Sequence, residues 1–234
     1  MSDEPQVTET ADTSADVAAN VDQVPADDGA SSTGIIATLA VAGMLAGLLL
    51  VTVYEATQPR ILAYKEKMMK EAVGLVLQGP ASFTTLYLVD GTLAADLPEG
   101  ALEKDFEKVF VGYDDQNSPV GFAVVNSRAG FQDQVKVIFG YNPDTGGLMG
   151  MKVLESKETP GLGDAIEKNM DFVDQFTKAM LPMTGVKAGA SSGPHEVDMI
   201  TGATISSRAV IRIINEAFER WDPLIKAYDN GGSL

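Results

Sequence analysis

Residues 35–53 form an uncharged and almost entirely apolar stretch, and no other feature limits the fold of this chain so strongly. Nineteen residues at the rise of an α-helix cross a bilayer core of about 30 Å, so the stretch predicts a transmembrane helix over 34–54. Gly43 and Gly47 fit close packing against another membrane helix. A cleaved signal peptide is the alternative, but a positively charged leader and a convincing cleavage site are missing.

Charge and composition narrow the remaining possibilities. Residues 1–33 hold eight of the 33 carboxylates and no Lys or Arg, which predicts a disordered acidic tail. The net charge of −16 argues against nucleic-acid binding. The chain has no cysteine and one histidine, His195, which argues against a protein-held metal centre or iron–sulfur cluster. We expect residues 229–234 to form a flexible C-terminus.

The chain after the membrane stretch is long enough for one domain with its own core. Residues 55–80 predict a membrane-proximal helix that packs onto this domain. Its apolar face would consist of Ile61, Tyr64, Met68, Ala72 and Leu75. Strand-length apolar segments lie at 119–125, 134–140 and 148–154, and a strong turn sequence, Asn-Pro-Asp-Thr-Gly-Gly, separates the last two. These features predict a mixed α/β domain built round an antiparallel sheet.

A hydroxyl group is presented by two very small residues in the sequence Asp-Met-Ile-Thr-Gly-Ala-Thr at 198–204. Apolar residues then recur at helical spacing, at Val210, Ile214, Ala217, Phe218 and Trp221. The start of such a helix suits a phosphate group, because its N–H groups are unpaired and its dipole is positive there. Gly202 and Ala203 would let a modifying enzyme or a large ligand approach Thr204. An ordinary helix start with Thr and Ser as caps is the alternative.

A second motif, Lys-Val-Leu-Glu-Ser-Lys-Glu-Thr-Pro-Gly-Leu-Gly-Asp, lies at 152–164. Its proline and glycines predict a turn after a strand, with backbone N–H groups near a ligand. The alternative is a plain connection in which Asp164 caps a helix. That helix would carry Ile166, Met170, Val173 and Phe176.

Both motifs, in this order, resemble those of the FMN-binding domains of the Rnf electron-transport complex and the sodium-translocating NADH:quinone reductase. The likeness covers most of 58–223, including 121–125 and 130–137, which add support for the family but no chemistry of their own. The last threonine of the first motif is the flavin acceptor in that family. The resemblance therefore implies that Thr204 carries FMN through a phosphoester. A flavin transferase that uses FAD and magnesium would attach it, and Asp198 would contribute to recognition by that enzyme.

The resemblance also implies the fold and the cofactor contacts. It implies an α/β (α+β) FMN-binding domain over 81–228, with a mixed, largely antiparallel sheet, plus one N-terminal transmembrane helix. The cofactor-binding residues would be Glu158, Thr159, Pro160, Gly161, Leu162, Gly163, Thr201, Gly202, Ala203 and Ser206. Glu158 and Thr159 would bond the polar edge of the flavin or its ribityl chain, and Leu162 would cover the ring. No catalytic residue and no metal ligand is expected.

The function implied is that of an electron-transfer subunit, the G subunit of an Rnf-type complex that moves electrons between ferredoxin and NAD with coupled ion transport. Its partners would be the other membrane subunits, with no small-molecule substrate of its own. The C subunit of the quinone reductase remains an alternative. A flavin-free, membrane-tethered adaptor or assembly protein is an alternative of another class.

The two lines of argument on topology disagree. Arg60, Lys65, Lys67 and Lys70 follow the predicted span, and the positive-inside rule would place the domain in the cytoplasm. The resemblance implies a single-pass protein of the cell inner (cytoplasmic) membrane with its flavin domain outside the cytoplasm. We follow the resemblance, because large domains can translocate despite flanking charge.

Overall fold

The structure is a computed structural model that describes residues 32–229. The expected acidic tail and flexible C-terminus lie almost wholly outside these residues. The chain divides into two compact units, Met1–Leu62 and Ala63–Leu234. Among the described residues, one helix, α1 (Ser32–Val76), is long and apolar enough to cross a membrane. Its most apolar window is not buried against protein, which suits contact with lipid.

The second unit is built on one six-stranded sheet. Its strands are β1 (Ser82–Val89), β2 (Thr92–Ala94), β3 (Lys108–Tyr113), β4 (Pro119–Ala129), β5 (Gln134–Tyr141) and β6 (Leu148–Glu155). They lie in the order β2-β1-β3-β4-β5-β6, and every neighbouring pair is antiparallel. A separate parallel pair is formed by β7 (Thr184–Val186) and β8 (Glu196–Asp198). The predicted fold class, with its largely antiparallel sheet, is confirmed.

Strands β4, β5 and β6 coincide with the three apolar segments predicted from the sequence. The turn between β5 and β6 is closed by Asn142, whose Oδ1 accepts hydrogen bonds from the backbone N–H groups of Asp144 (2.9 Å) and Thr145 (3.2 Å). Strand β4 extends beyond the predicted segment, because Ser127 and Arg128 still pair with β5. The turn that follows β4 is the first part of the candidate site.

Helix α4 (Thr204–Asp229) covers one face of the sheet. Its buried residues include Val210, Ile214, Ala217 and Trp221, as the helical spacing predicted. They share a core with the large side chains of the central strands, including Phe122, Val124, Phe139 and Tyr141. This packing fixes the first turn of α4 beside the end of the sheet where β4 turns into β5.

The end of α1 packs on the opposite face of the sheet. Ala72, Val73 and Val76 are buried there. Leu77, Phe110, Ala123 and Ile138 complete this second core cluster. The apolar face predicted for this helix is wrong in part, because Ile61, Tyr64 and Leu75 are exposed.

The difference is explained by a close contact between the end of α1 and Gly140 on β5. A Cβ added at Gly140 would lie 2.2 Å from the Val76 carbonyl oxygen, so the helix approaches through its backbone. A small residue such as Gly140 allows the helix backbone to come this close to the sheet. The helical spacing of large apolar residues does not predict such a contact.

The segment after β6 is broken into short pieces where one helix was predicted. They are α2 (Ala165–Lys168), α3 (Met170–Val173) and a 3-10 turn (Asp174–Thr177). Asn169 interrupts the helix in an extended conformation, and its side chain accepts a hydrogen bond from Phe172 N at 3.2 Å. Asp164 makes no capping hydrogen bond to α2. Its carboxylate instead accepts from Gly161 N (2.7 Å) and pairs with Lys168 Nζ (2.6 Å), which fastens the preceding loop.

Candidate functional site

Thr204 is the first residue of α4, and the turn before it is tightly held. Gly202 adopts φ +87°, a left-handed conformation that costs glycine little. The Ser207 hydroxyl accepts a hydrogen bond from Ile200 N at 3.1 Å and donates one to Ala203 O at 2.9 Å. These bonds close the turn from inside. Thr204 is left exposed, with no hydrogen-bond partner for its hydroxyl among residues 32–229.

The other hydroxyl groups of this region are placed differently. Ser206 and Ser207 are 2% and 0% exposed, and both hydroxyls are hydrogen-bonded within the protein. Thr201 is exposed but lines a separate cavity, together with Asp198 and Gln175. Thr204 therefore combines exposure with an unengaged hydroxyl at the helix start.

Thr204 opens into a cavity of about 350 Å³ between the first turn of α4 and the loop that follows β6. Its lining residues are Phe131, Thr159, Leu162, Gly163, Gly202, Ala203, Thr204, Ile205 and Ser206. The two sequence motifs thus meet in space, as the resemblance implied. The volume and the mainly apolar lining are typical of a pocket for an organic cofactor.

Four of the expected contact residues do not line this cavity. Pro160 and Gly161 lie in the turn that Asp164 fastens, and Thr201 faces the neighbouring cavity. Glu158 is only 5% exposed and lies behind the cavity wall. Pro160, Gly161 and Glu158 therefore support the loop and the cavity wall without lining the cavity.

Phe131 is a lining residue that sequence reasoning missed. It lies in the turn between β4 and β5 and is 65% exposed, which is unusual for a large aromatic side chain. The segment 130–137 had been expected to add no chemistry of its own, yet it places this ring in the cavity wall. The available signal was an apolar aromatic residue inside a polar turn sequence, Gly-Phe-Gln-Asp-Gln.

Glu158 bonds to two other parts of the site. Its Oε1 accepts hydrogen bonds from the backbone N–H groups of Phe131 (2.9 Å) and Gln132 (3.1 Å), and its Oε2 accepts from Ser206 Oγ (2.5 Å). Burial raises the pKa of Glu158, but the hydrogen bonds from Ser206, Gln132 and Phe131 outweigh it and hold the pKa below its ordinary value. The carboxylate is therefore ionised at neutral pH. Thr159 strengthens the same junction by donating to Gln132 Oε1 at 3.1 Å.

Asp198, the first residue of the threonine motif, is also engaged inside the protein. Its carboxylate accepts hydrogen bonds from Ala190 N (3.1 Å), Ser191 N (2.9 Å) and Ser191 Oγ (3.0 Å). Gln175 holds the backbone of Asp198 through its side-chain amide, which accepts from Asp198 N at 2.7 Å. Burial raises the pKa of Asp198, while the bonds from Ser191 and Ala190 lower it more, so the net shift is downward. The carboxylate fastens the 189–191 loop to the motif.

Residues 130–219 match the family described as FMN-binding domain. This segment is therefore similar to an FMN-binding domain. It contains the whole candidate site, from Phe131 in the turn after β4 to Thr204 at the start of α4. The fold is also similar to that of a solved protein. NqrC of Shewanella oneidensis superimposes with a TM-score of 0.59 at 21% sequence identity, over 70% of this chain and 99% of NqrC.

Sequence relatives of the chain support the resemblance to Rnf G subunits. It is 29% identical over 192 residues to the G subunit of the ion-translocating oxidoreductase complex of Methanosarcina acetivorans, which is 82% of this chain and 95% of that protein. It is 31% identical over 137 residues to the G subunit of the Na(+)-translocating ferredoxin:NAD(+) oxidoreductase complex of Acetobacterium woodii. That match covers 57% of this chain and 62% of the relative. The resemblance to Rnf G subunits is confirmed.

The cavity beside Thr204 fits the parts of FMN. The N–H groups at the start of α4 suit the phosphate, and the Thr204 hydroxyl lies at that position. Leu162, Ile205 and Phe131 offer apolar surface for a ring system. A Cβ added at Gly163 would meet Glu158 at 2.8 Å and Ser206 Oγ at 3.1 Å, so only glycine leaves this wall in place.

Proposed function

We propose that this chain is a membrane-anchored flavoprotein subunit that carries FMN covalently on Thr204 and relays electrons within an Rnf-type ferredoxin:NAD oxidoreductase complex. One observation carries the proposal. The exposed Thr204 hydroxyl stands at the start of α4 and opens into the cavity of an FMN-binding domain. The names of the sequence relatives support the type of complex. The likeness to NqrC supports the fold alone.

Each part of the site has a role in this proposal. The start of α4 holds the phosphate, which forms a phosphoester with Thr204. Leu162 and Phe131 cover apolar ring surface, and Thr159 offers a hydroxyl to its polar groups. Gly202 and Ala203 leave room for the cofactor beside the threonine. FMN, when bound, supplies the ability to accept and donate electrons, whereas the protein fixes its position and surroundings.

Attachment requires a partner enzyme. A flavin transferase would move the FMN moiety of FAD, with magnesium, onto the Thr204 oxygen, and AMP would leave as the hydroxyl loses its proton. Exposure of Thr204 makes this access possible. The other partners would be the membrane subunits of the complex, reached through a span at 34–54 in the inner membrane.

Substitution of the acceptor gives the direct test. We expect Thr204→Ala and Thr204→Val to abolish covalent FMN while the protein still folds, because only an exposed hydroxyl without hydrogen bonds is lost. Thr201→Ala is the matched control and should be labelled fully, since Thr201 faces a different cavity. In-gel fluorescence of the denatured protein under ultraviolet light reports covalent flavin, and mass spectrometry of the flavin peptide gives its position.

Three results would contradict the proposal. An FMN adduct on Thr201, Ser206 or Ser207 in the wild-type chain would reject Thr204 as the acceptor. Fluorescence that persists in Thr204→Val would do the same. A wild-type protein matured with the transferase yet devoid of flavin would favour the flavin-free adaptor.

A further inference from the structure

Glu158 is a buried carboxylate that connects the three segments enclosing the cavity. Glu158 belongs to the loop after β6. Its carboxylate accepts hydrogen bonds from the Phe131 and Gln132 N–H groups in the β4–β5 turn. It also accepts one from the Ser206 hydroxyl in the first turn of α4. Phe131 and Ser206 line the cavity themselves. One side chain thus sets the distance between the aromatic wall and the turn that presents Thr204.

The carboxylate also lies close behind the cavity wall. Gly163 lines the cavity, and a Cβ added there would stand 2.8 Å from Glu158 Oε2. Glycine has no side chain, so no side chain at this position separates the carboxylate from the cavity. The three hydrogen-bond donors to Glu158 are two N–H groups and a hydroxyl. They are neutral, so the carboxylate keeps its full negative charge.

Two other carboxylates near the cavity, those of Asp133 and Asp164, are paired with lysines. Lys157 Nζ lies 2.9 Å from Asp133 Oδ2, and Lys168 Nζ lies 2.6 Å from Asp164 Oδ2. Both lysines are well exposed, so water screens these pairs. Glu158 differs from them, since it is buried and bonded only to neutral groups.

We infer that Glu158 is a positioning residue of the flavin site that places a fixed negative charge behind the bound flavin and thereby lowers its midpoint potential. The inference rests on the proposed function. Reduction adds electrons to the flavin, and a negative charge in a poorly solvated position opposes that addition. A purely structural Glu158 would leave the potential unaffected once its hydrogen bonds were replaced.

Glu158→Gln separates charge from structure. The glutamine oxygen can still accept the Phe131 and Gln132 N–H groups, and its amide can donate to Ser206 Oγ, so the junction is retained. We expect a more positive midpoint potential in a redox titration of the detergent-solubilised full chain with FMN attached. Asp133→Asn is the matched control. It removes the same charge from the adjoining turn, but at an exposed position, and should shift the potential by less than half as much.

Ser206→Ala tests the same inference with the opposite sign, and it remains available if Glu158→Gln does not fold. Alanine is a strong helix former, and the change removes one hydroxyl. The Glu158 charge then loses its closest hydrogen-bond donor, so we expect the potential at pH 8 to become more negative. An unchanged potential in Glu158→Gln, a shift equal to that of Asp133→Asn, or a positive or absent shift in Ser206→Ala would overturn the inference.

Peptide mapping of each sample keeps the two proposals distinguishable. FMN found on Thr204 together with an unshifted potential would contradict the role of Glu158 alone. FMN missing from Thr204 in the wild-type protein would contradict the proposed function and, with it, this inference.

Discussion

Asp198 is a motif residue whose carboxylate is hydrogen-bonded inside the protein. The resemblance assigns it to recognition by a transferase, yet its carboxylate is bonded to Ala190 and Ser191. These bonds hold the 189–191 loop against the residues that lead to Thr204. Recognition by the transferase would then depend on the shape that Asp198 gives to the motif, as well as on any direct contact.

The stability that Asp198 provides should depend on pH. Its pKa in the folded protein lies below the ordinary value of about 3.9, because the bonds from Ser191 and Ala190 outweigh burial. A depressed pKa contributes stability above the unfolded pKa, and this is lost as pH falls through the folded pKa. Asp198→Ala should therefore lower the Tm most at neutral pH, with the difference from wild type shrinking below about pH 4. Thermal unfolding from pH 7 to pH 2 measures this, and a constant difference would show that the charge is irrelevant.

The place of Thr204 at the start of a helix could be predicted from the sequence, but the geometry around it could not. Thr204 stands out because Gly202 and Ala203 precede a clear helical pattern, which is local information. Phe131 lies in the cavity wall, and its backbone N–H donates to Glu158, 27 positions later. That contact depends on how the β4–β5 turn meets the loop after β6, which no local pattern encodes.

The same distinction holds for helices and strands. Strands β4 to β6 were predictable because each is an apolar run bounded by turn residues. Strand β1 was not predicted. Its sequence ends in the apolar run Leu-Tyr-Leu-Val, but Leu86 is its one buried residue. Asn169 broke the helix predicted after Asp164, because its side chain caps the next helix more effectively than it continues the first.

The contact between the end of α1 and the sheet gives a prediction for whole elements. Gly140→Ala would place a Cβ against the Val76 carbonyl oxygen, and a backbone atom cannot move aside cheaply. We expect a loss of about 1–3 kcal/mol or more in the free energy of unfolding. Gly74 lies in α1, and a Cβ added there meets no atom within 4 Å. Gly74→Ala should therefore leave the free energy of unfolding unchanged or raise it. Denaturant titration of both variants measures these free energies. A Gly140→Ala variant as stable as the wild type would contradict the prediction and mean that the helix and the sheet adjust to the added methyl group.

At the scale of the whole molecule, we propose a single-pass topology in the membrane. Among the described residues only α1 can cross a bilayer, so the tail before it and the domain after it would lie on opposite sides. We expect the domain outside the cytoplasm, on the basis of the resemblance. A reporter active only in the periplasm should therefore be active when fused after Leu234. Activity of a cytoplasmic reporter there instead would show that Arg60 and the lysines after it had decided the orientation.

The burial of Ala72, Val73 and Val76 also bears on how the protein could be cut. A protease that cleaved between the membrane segment and these residues would release a domain with both core clusters intact. Cleavage after Val76 would strip one face of the sheet and expose Phe110, Ala123 and Ile138 to water. Release of an intact domain is therefore restricted to cuts before Ala72, and later cuts would remove part of its core.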